Sequence, residues 1–154
     1  MNNGGSLKAL NIIHKAMLAG QILFAAVCFY IVFTKTQIIF MGKYMDKVLQ
    51  VMAITFSAAG FFTGSFVFKK KLQQARDTPA GGKEKFSMYR SACILQWAFL
   101  EGPSLFGIIC FFLTGNYAFI VLSAVLMLLF VMLAPSKIKI AFQLGLSEDE
   151  LSGL

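Results

Sequence analysis

Residues 91–113 read SACILQWAFLEGPSLFGIICFFL, an apolar run of 23 residues that carries a single carboxylate, Glu101. A helix needs about 20 apolar residues to cross roughly 30 Å of hydrocarbon, so this run is predicted to be a transmembrane helix. Glu101 follows Ser91 by ten residues and precedes Leu113 by twelve. At a rise of about 1.5 Å per residue, the carboxylate lies close to the middle of the bilayer.

Three further apolar runs of span length flank this one, at residues 12–33, 48–68 and 117–134. The composition agrees, because 58% of the 154 residues are hydrophobic, 14% are charged, and the mean hydropathy is +0.73. Soluble domains carry about 25% charged residues. The sequence therefore predicts an all-α integral membrane protein, a four-helix bundle of two helical hairpins that forms one domain over residues 1–154.

The distribution of basic residues predicts how the spans are oriented in the membrane. The hydrophilic link of residues 69–90 carries seven Lys and Arg, and the positive-inside rule places this link in the cytoplasm. An even number of spans then places the N-terminus and the short tail 135–154 in the cytoplasm as well. This topology puts eleven Lys and Arg on the cytoplasmic side and three on the other side. Both termini are predicted to be cytoplasmic, in a bacterial inner (plasma) membrane. The net charge of +7 is thus explained by topology, and no nucleic-acid partner is expected.

Glu101 is the candidate functional residue. An ionised acidic residue at the centre of a span costs about 2.5 to 3.5 kcal/mol, and no Lys or Arg of the sequence lies at that depth. The carboxyl group is therefore expected to be protonated or paired with polar side chains. The candidate partners are the amide and hydroxyl side chains of nearby spans, namely Gln21, Thr55, Ser57 and Thr63.

Small residues predict close helix packing in the second span. Gly60 and Gly64 form a GxxxG pair, which lets the backbone of another helix approach. Gly102 and Pro103 follow Glu101 directly and are included in the predicted packing set. Pro103 has no backbone N–H to offer the carbonyl of Phe99, so a bend beside the carboxylate is expected.

Metal, cofactor and enzyme sites are not expected. Cys28, Cys93 and Cys110 lie inside apolar runs without the clustered spacing of a metal site, and are interpreted as packing residues. His14 is expected to reach the headgroups, far from Glu101. Catalysis within the membrane would need a nucleophile and a base or a metal cluster, so an enzyme is the weakest alternative.

A weak internal repeat relates the first and third runs at an offset of 82 residues. Seven identities fall in the fourteen residues from Ala16 to Phe29, among them Cys28 with Cys110 and Phe29 with Phe111. Both runs would cross the membrane in the same direction, as in a parallel repeat of two hairpins. Ala19 occupies the position equivalent to Glu101.

Residues 48–113 resemble the helical hairpin of the proton-translocating c subunit (proteolipid) of rotary ATP synthases. The similar features are small residues in the first helix, a polar loop at residues 76–79, and the carboxylate segment AFLEGPSLFG at residues 98–107. The resemblance implies that Glu101 is an ion-binding carboxylate. The chain departs from the family pattern in lacking a long glycine series and in having two further spans.

Two hypotheses on function follow. In the first, Glu101 binds or relays protons or another cation, in a homo-oligomer or beside a larger membrane complex. In the second, the protein is a structural or accessory membrane subunit, and Glu101 only stabilises helix packing. Beyond the lipid bilayer, neither hypothesis identifies a partner from the sequence.

Overall fold

The computed structural model describes residues 5–34, 43–79 and 81–145. Within these ranges the chain forms five helices and no strands, which confirms the all-α prediction. The helices are α1 (Gly5–Phe33), α2 (Lys43–Asp77), α3 (Gly82–Thr114), α4 (Tyr117–Met132) and α5 (Lys137–Leu144). The sequence also predicts an apolar segment at the membrane interface over residues 38–41 and a last helical turn over residues 147–150, and both ranges lie outside the described residues.

Three helices are long and apolar enough to cross a membrane, over Leu7–Phe33, Tyr44–Asp77 and Gly82–Thr114. The 16 residues of α4 rise about 24 Å, and α5 follows at an angle of 74°, so this bent pair would supply the fourth span if it is counted as one. Large apolar side chains lie exposed on these helices, for example Leu23 at 67% and Phe62 at 69%. A soluble protein rarely exposes so much apolar surface, and the architecture is compatible with a membrane protein.

The link predicted at residues 69–90 is mostly helical. Its residues 69–76, KKKLQQAR, are good helix formers, and α2 continues through them to Asp77. Pro79 disfavours helical geometry at Thr78, and α3 begins at Gly82. The basic residues therefore extend the two helices beyond their apolar parts and do not form a long loop.

α3 is the central helix and packs against α2, α4 and α1, whereas α1 and α2 hardly touch in the described part of the chain. Ring contacts give the directions of the helices. Phe106 and Tyr89 of α3 contact Phe56 and Phe68 of α2, respectively, so these helices run antiparallel. The contacts of Trp97 with Phe130 and of Phe111 with Tyr117 show that α3 and α4 are antiparallel as well. α1 runs parallel to α3, because His14 contacts Trp97 and Phe29 contacts Phe111.

A tight turn joins α3 to α4 at the end of the molecule opposite the basic extensions of α2 and α3. Gly115 has a left-handed backbone (φ 70°), and the side-chain carbonyl of Asn116 accepts from the N–H of Ala118 to cap α4. The Asn116 amide also donates to both carboxylate oxygens of Asp46, at 3.1 and 2.9 Å. This contact ties the start of α2 to the α3–α4 turn.

Candidate functional site

Glu101 projects from the side of α3 that faces away from α2. Phe99 and Pro103 lie against Gly60 of α2. Glu101 is two residues from each of them, or about 200° around the helix. Its own stripe contains Trp97, which is fully buried and contacts α1 through His14. Glu101 itself is half-buried, so the carboxylate lies at the edge of the seam between α3 and α1.

The register of α1 against α3 decides which residues lie level with this carboxylate. The ring contacts of His14 with Trp97 and of Phe29 with Phe111 correspond to offsets of 83 and 82 residues. The same offsets place Gln21 level with Pro103 and Ser104, within one turn beyond Glu101 along α3. Gln21 is therefore the predicted partner that the structure brings to the side of the helix carrying Glu101.

Three polar atoms at this level are buried without a hydrogen-bond partner among the described residues. They are Oε1 and Nε2 of Gln21 and Oγ of Ser104, on side chains that are 1% and 0% exposed. Buried polar groups nearly always have partners, and an unmade hydrogen bond costs about 1 to 3 kcal/mol. The seam between α1 and α3 therefore contains polar atoms that could form hydrogen bonds, or bind a cation through oxygen, about one turn from the Glu101 carboxylate.

The remaining predicted partners lie elsewhere. Thr55 and Thr63 are exposed on α2, and Thr55 lines an apolar groove with Phe106 on the outer surface. Ser57 is buried, but its hydroxyl donates to the carbonyl of Ala53 at 2.7 Å. All three belong to α2, on the opposite side of α3 from Glu101, so the structure does not bring them to the carboxylate.

His14 differs from its sequence expectation. It is 4% exposed, its Nε2 lies 2.9 Å from the carbonyl oxygen of Phe130, and its ring stacks on Phe130 with centroids 4.6 Å apart. Its edge contact with Trp97 places it one turn from Glu101 on the other side from Gln21. The prediction of an interfacial residue far from Glu101 was wrong, because the parallel register of α1 and α3 buries His14 between α3 and α4.

A signal for this burial is present in the sequence. His14, Gln21 and Cys28 are spaced by seven and are all buried on α1. A seven-residue spacing is typical of the contact seam between nearly parallel helices. Two of these three contact positions of α1, His14 and Gln21, carry polar side chains.

Gly60 and Gly64 lie where α2 comes closest to α3. A Cβ atom at Gly60 would collide with the carbonyl oxygen of Phe99 and lie 2.8 Å from Cγ of Pro103. A Cβ atom at Gly64 would lie 2.9 Å from Cβ of Phe99. The carbonyl of Phe99 is the one that Pro103 deprives of its helical N–H, so a glycine Cα–H of α2 faces an acceptor left free within α3.

Gly102 is not at such a contact, since a Cβ atom there would meet only Cζ of Phe56 at 3.9 Å within the described structure. The close approach on the other side of α3 involves Gly107, where a Cβ atom would collide with Oγ of Ser123. That hydroxyl of α4 lies 2.9 Å from the carbonyl oxygen of Ser104 and 3.0 Å from that of Phe119. Sequence reasoning missed this contact between α3 and α4, although Gly107 lies within the run that contains Glu101.

The charge around Glu101 is unbalanced. Over residues 5–34, 43–79 and 81–145, no ion pair or hydrogen bond joins the carboxylate to another side chain, and no group of three His, Cys, Asp or Glu could hold a metal ion. The three cysteines are unpaired.

Comparison with known proteins gave no match to a family model, a curated protein or a solved structure. The resemblance to ATP synthase c subunits thus depends on residues 48–113 of this sequence alone. In the structure the stripe of α3 that carries Glu101 also carries Trp97, which contacts His14 of α1, a helix outside that resembling segment.

Proposed function

We propose that this chain is an integral membrane protein in which Glu101 binds, and in a larger assembly relays, protons or another small cation. The observation that carries the proposal is a half-buried carboxylate near the middle of a candidate span, with no cation beside it in the described ranges. One turn away, Gln21 and Ser104 hold buried polar atoms without partners.

The chemistry of the seam suits either ligand. A proton on Glu101 makes the carboxyl a donor, removes its charge, and so avoids the cost of an ion at mid-membrane. A small hard cation instead prefers oxygen ligands, which the Glu101 carboxylate, Oε1 of Gln21 and Oγ of Ser104 supply along one seam. Either ligand would give a partner to polar atoms that have none among the described residues.

The membrane topology that we propose has four spans, with α4 and the bent α5 forming the fourth. Both termini lie on the cytoplasmic side with the basic ends of α2 and α3. The resemblance of α2 and α3 to a c subunit hairpin supports an ion-binding role for Glu101. The site proposed here differs in being completed by α1, so one chain contains it without a neighbouring copy.

The second candidate is a structural or accessory subunit, in which Glu101 and the polar seam only fix how helices pack. It is favoured by the contacts of Gly60 with Phe99 and of Ser123 with Ser104, which show that small and polar residues already hold α3 between α2 and α4. Under this hypothesis Glu101→Gln preserves both the fold and the role of the protein.

Labelling with dicyclohexylcarbodiimide tests the proposal, since this apolar reagent modifies protonated carboxyl groups within membranes. Purified protein in liposomes is labelled over a range of pH, and the modified peptide is identified by mass spectrometry. We expect one label, on Glu101, that is lost in Glu101→Gln and kept in Glu84→Gln, whose side chain is exposed at the start of α3.

The competing ligand is identified in the same assay. Protection by added sodium or lithium at constant pH indicates a cation site, whereas labelling that falls only as the pH rises indicates a proton site. Gln21→Leu is expected to reduce the cation protection, because it removes an oxygen ligand from the seam. Absence of label on Glu101 at every pH, with Glu101→Gln as stable as the wild type, would contradict the proposal and support the structural subunit.

A further inference from the structure

A second feature, independent of Glu101, lies along the side of α2 that faces α4 and α5. Phe61, Ser65, Leu72 and Arg76 follow one another at spacings of four and seven residues, so they share one stripe of the helix. The first two line an apolar cleft, and the last two line a polar cavity. The stripe therefore passes from an apolar to a basic environment within one helix.

The apolar cleft has a volume of about 290 Å³ and lies between α2, α3 and α4. Its walls include Phe61, Leu100, Leu129, Met132 and Leu133, with Gln96 as a polar contribution from α3. The α2 and α3 residues of the cleft lie within candidate spans. Its size and lining fit part of an acyl chain.

The polar cavity has a volume of about 420 Å³ and begins one turn further along α2. It is lined by Lys69, Leu72, Gln73, Arg76 and Asp77. Lys69 follows Ser65 of the cleft by four residues, a rise of about 6 Å. The cavity has two cations against one carboxylate, so its net charge suits an anionic group.

α5 holds one of these cations, Arg76, in place and contributes a further one, Lys139. The Arg76 guanidinium donates to the carbonyl oxygens of Gln143 and, at 2.9 Å, Phe142 near the end of α5. These two bonds leave other N–H groups of the guanidinium for a ligand. Lys139 places its ammonium 2.9 Å from the carbonyl oxygen of Met132, a residue of the apolar cleft. A positive charge thus lies at the edge of the cleft as well.

We propose that the stripe from Phe61 to Arg76 is a binding site for an anionic phospholipid. One acyl chain occupies the apolar cleft, and the phosphate contacts Lys69 and Arg76. The continuity of cleft and cavity along α2 favours a lipid over a free phosphate ion, which would have no use for the apolar part. The excess of cations favours an anionic headgroup over a zwitterionic one.

Fluorescence of Trp97 provides the test. It is the single tryptophan of the chain, and its neighbours Gln96 and Leu100 line the cleft, so a brominated acyl chain bound there quenches it. The protein is reconstituted with equal mole fractions of dibrominated phosphatidylglycerol or dibrominated phosphatidylcholine with the same acyl chains. We expect stronger quenching by phosphatidylglycerol, and this excess measures the site.

Three single variants decide the outcome. Lys69→Gln is expected to lower the relative affinity for phosphatidylglycerol about fivefold, since one basic contact is lost. Lys70→Gln is the matched control, because Lys70 is also exposed but does not line the cavity, and it should change little. Ser65→Phe fills the cleft and should abolish the excess quenching.

The proposal is overturned if both lipids quench the wild type equally, since the site would then have no headgroup preference. Equal losses in Lys69→Gln and Lys70→Gln would also overturn it, because they would indicate diffuse surface charge. Retention of the full excess in Ser65→Phe would show that no acyl chain enters the cleft. Circular dichroism of each variant confirms that the helices are intact.

Discussion

Replacing Gly60 by alanine should weaken the contact between α2 and α3, and the loss of stability can be estimated from the distances around Gly60. The added methyl group would collide with the carbonyl oxygen of Phe99 and lie 2.8 Å from Cγ of Pro103. One neighbour is backbone and the other is a ring atom, so neither can move aside alone. Restoring the ordinary contact distance of 3.4 Å to Pro103 requires the helices to separate locally by at least 0.6 Å.

Overpacking of this kind typically costs about 1 to 3 kcal/mol. Alanine also favours the helix over glycine by about 1 kcal/mol, which partly offsets the loss at Gly60. Gly102→Ala is the matched control, because a methyl group there meets only Phe56 at an ordinary 3.9 Å within the described structure. The gain in helix propensity cancels between the two variants, so their stabilities should differ by about 1 to 3 kcal/mol.

The assay is reversible unfolding in mixed micelles of increasing dodecyl sulfate content, followed by circular dichroism and by Trp97 fluorescence. Gly64→Ala should also fall below Gly102→Ala, since its methyl group would lie 2.9 Å from Cβ of Phe99. If Gly60→Ala and Gly102→Ala agree within about 0.5 kcal/mol, the close approach of α2 to α3 inferred here is refuted.

Three other substitutions probe the remaining contacts. His14→Ala should lower the free energy of unfolding by about 1 to 3 kcal/mol, because it removes a buried ring that contacts Phe130 and Trp97, and the same micelle titration measures this. The carbonyl of Phe130 keeps the N–H of Leu133 as a donor. Ser123→Ala should cost less, about 0.6 kcal/mol, as is usual for hydrogen bonds between membrane helices, and a larger loss would indicate a wider network. Arg76→Ala should release the end of α5, seen as faster hydrogen exchange of Ile140 to Leu144, while exchange in α4 stays unchanged.

The features that could be predicted from the sequence are those that depend on one helix at a time. The length of the apolar runs predicted helices, and the GxxxG spacing identified the side of α2 on which Gly60 lies against another helix. Gly115 and Asn116 form the tight turn between α3 and α4, and both residue types favour turns. Each of these follows from local geometry, without knowledge of how neighbouring helices are rotated.

The features that sequence reasoning missed depend on the rotation of one helix against another. Depth alone made Thr55 and Thr63 as suitable as Gln21 for pairing with Glu101, but α2 packs on the opposite side of α3. His14 was expected near the headgroups because it lies at the start of the apolar run, whereas the parallel packing of α1 on α3 covers it with Trp97. The helical extension of α2 to Asp77 was not predicted, because the link of residues 69–90 was delimited by its polarity. Residues 69–76 are mostly polar but are also good helix formers.

The internal repeat gives a physical reason why one carboxylate is present and not two. Its offset of 82 is the register in which Phe29 of α1 meets Phe111 of α3, so the repeated helices lie side by side with equivalent residues at equal depth. They are not in equivalent surroundings, because α3 is covered by three helices and α1 lies at the edge. Ala19, the counterpart of Glu101, is exposed on that edge. In the membrane topology proposed above, a carboxylate there would face hydrocarbon at a cost of about 2.5 to 3.5 kcal/mol, whereas Glu101 of α3 has the polar atoms of Gln21 and Ser104 about one turn away.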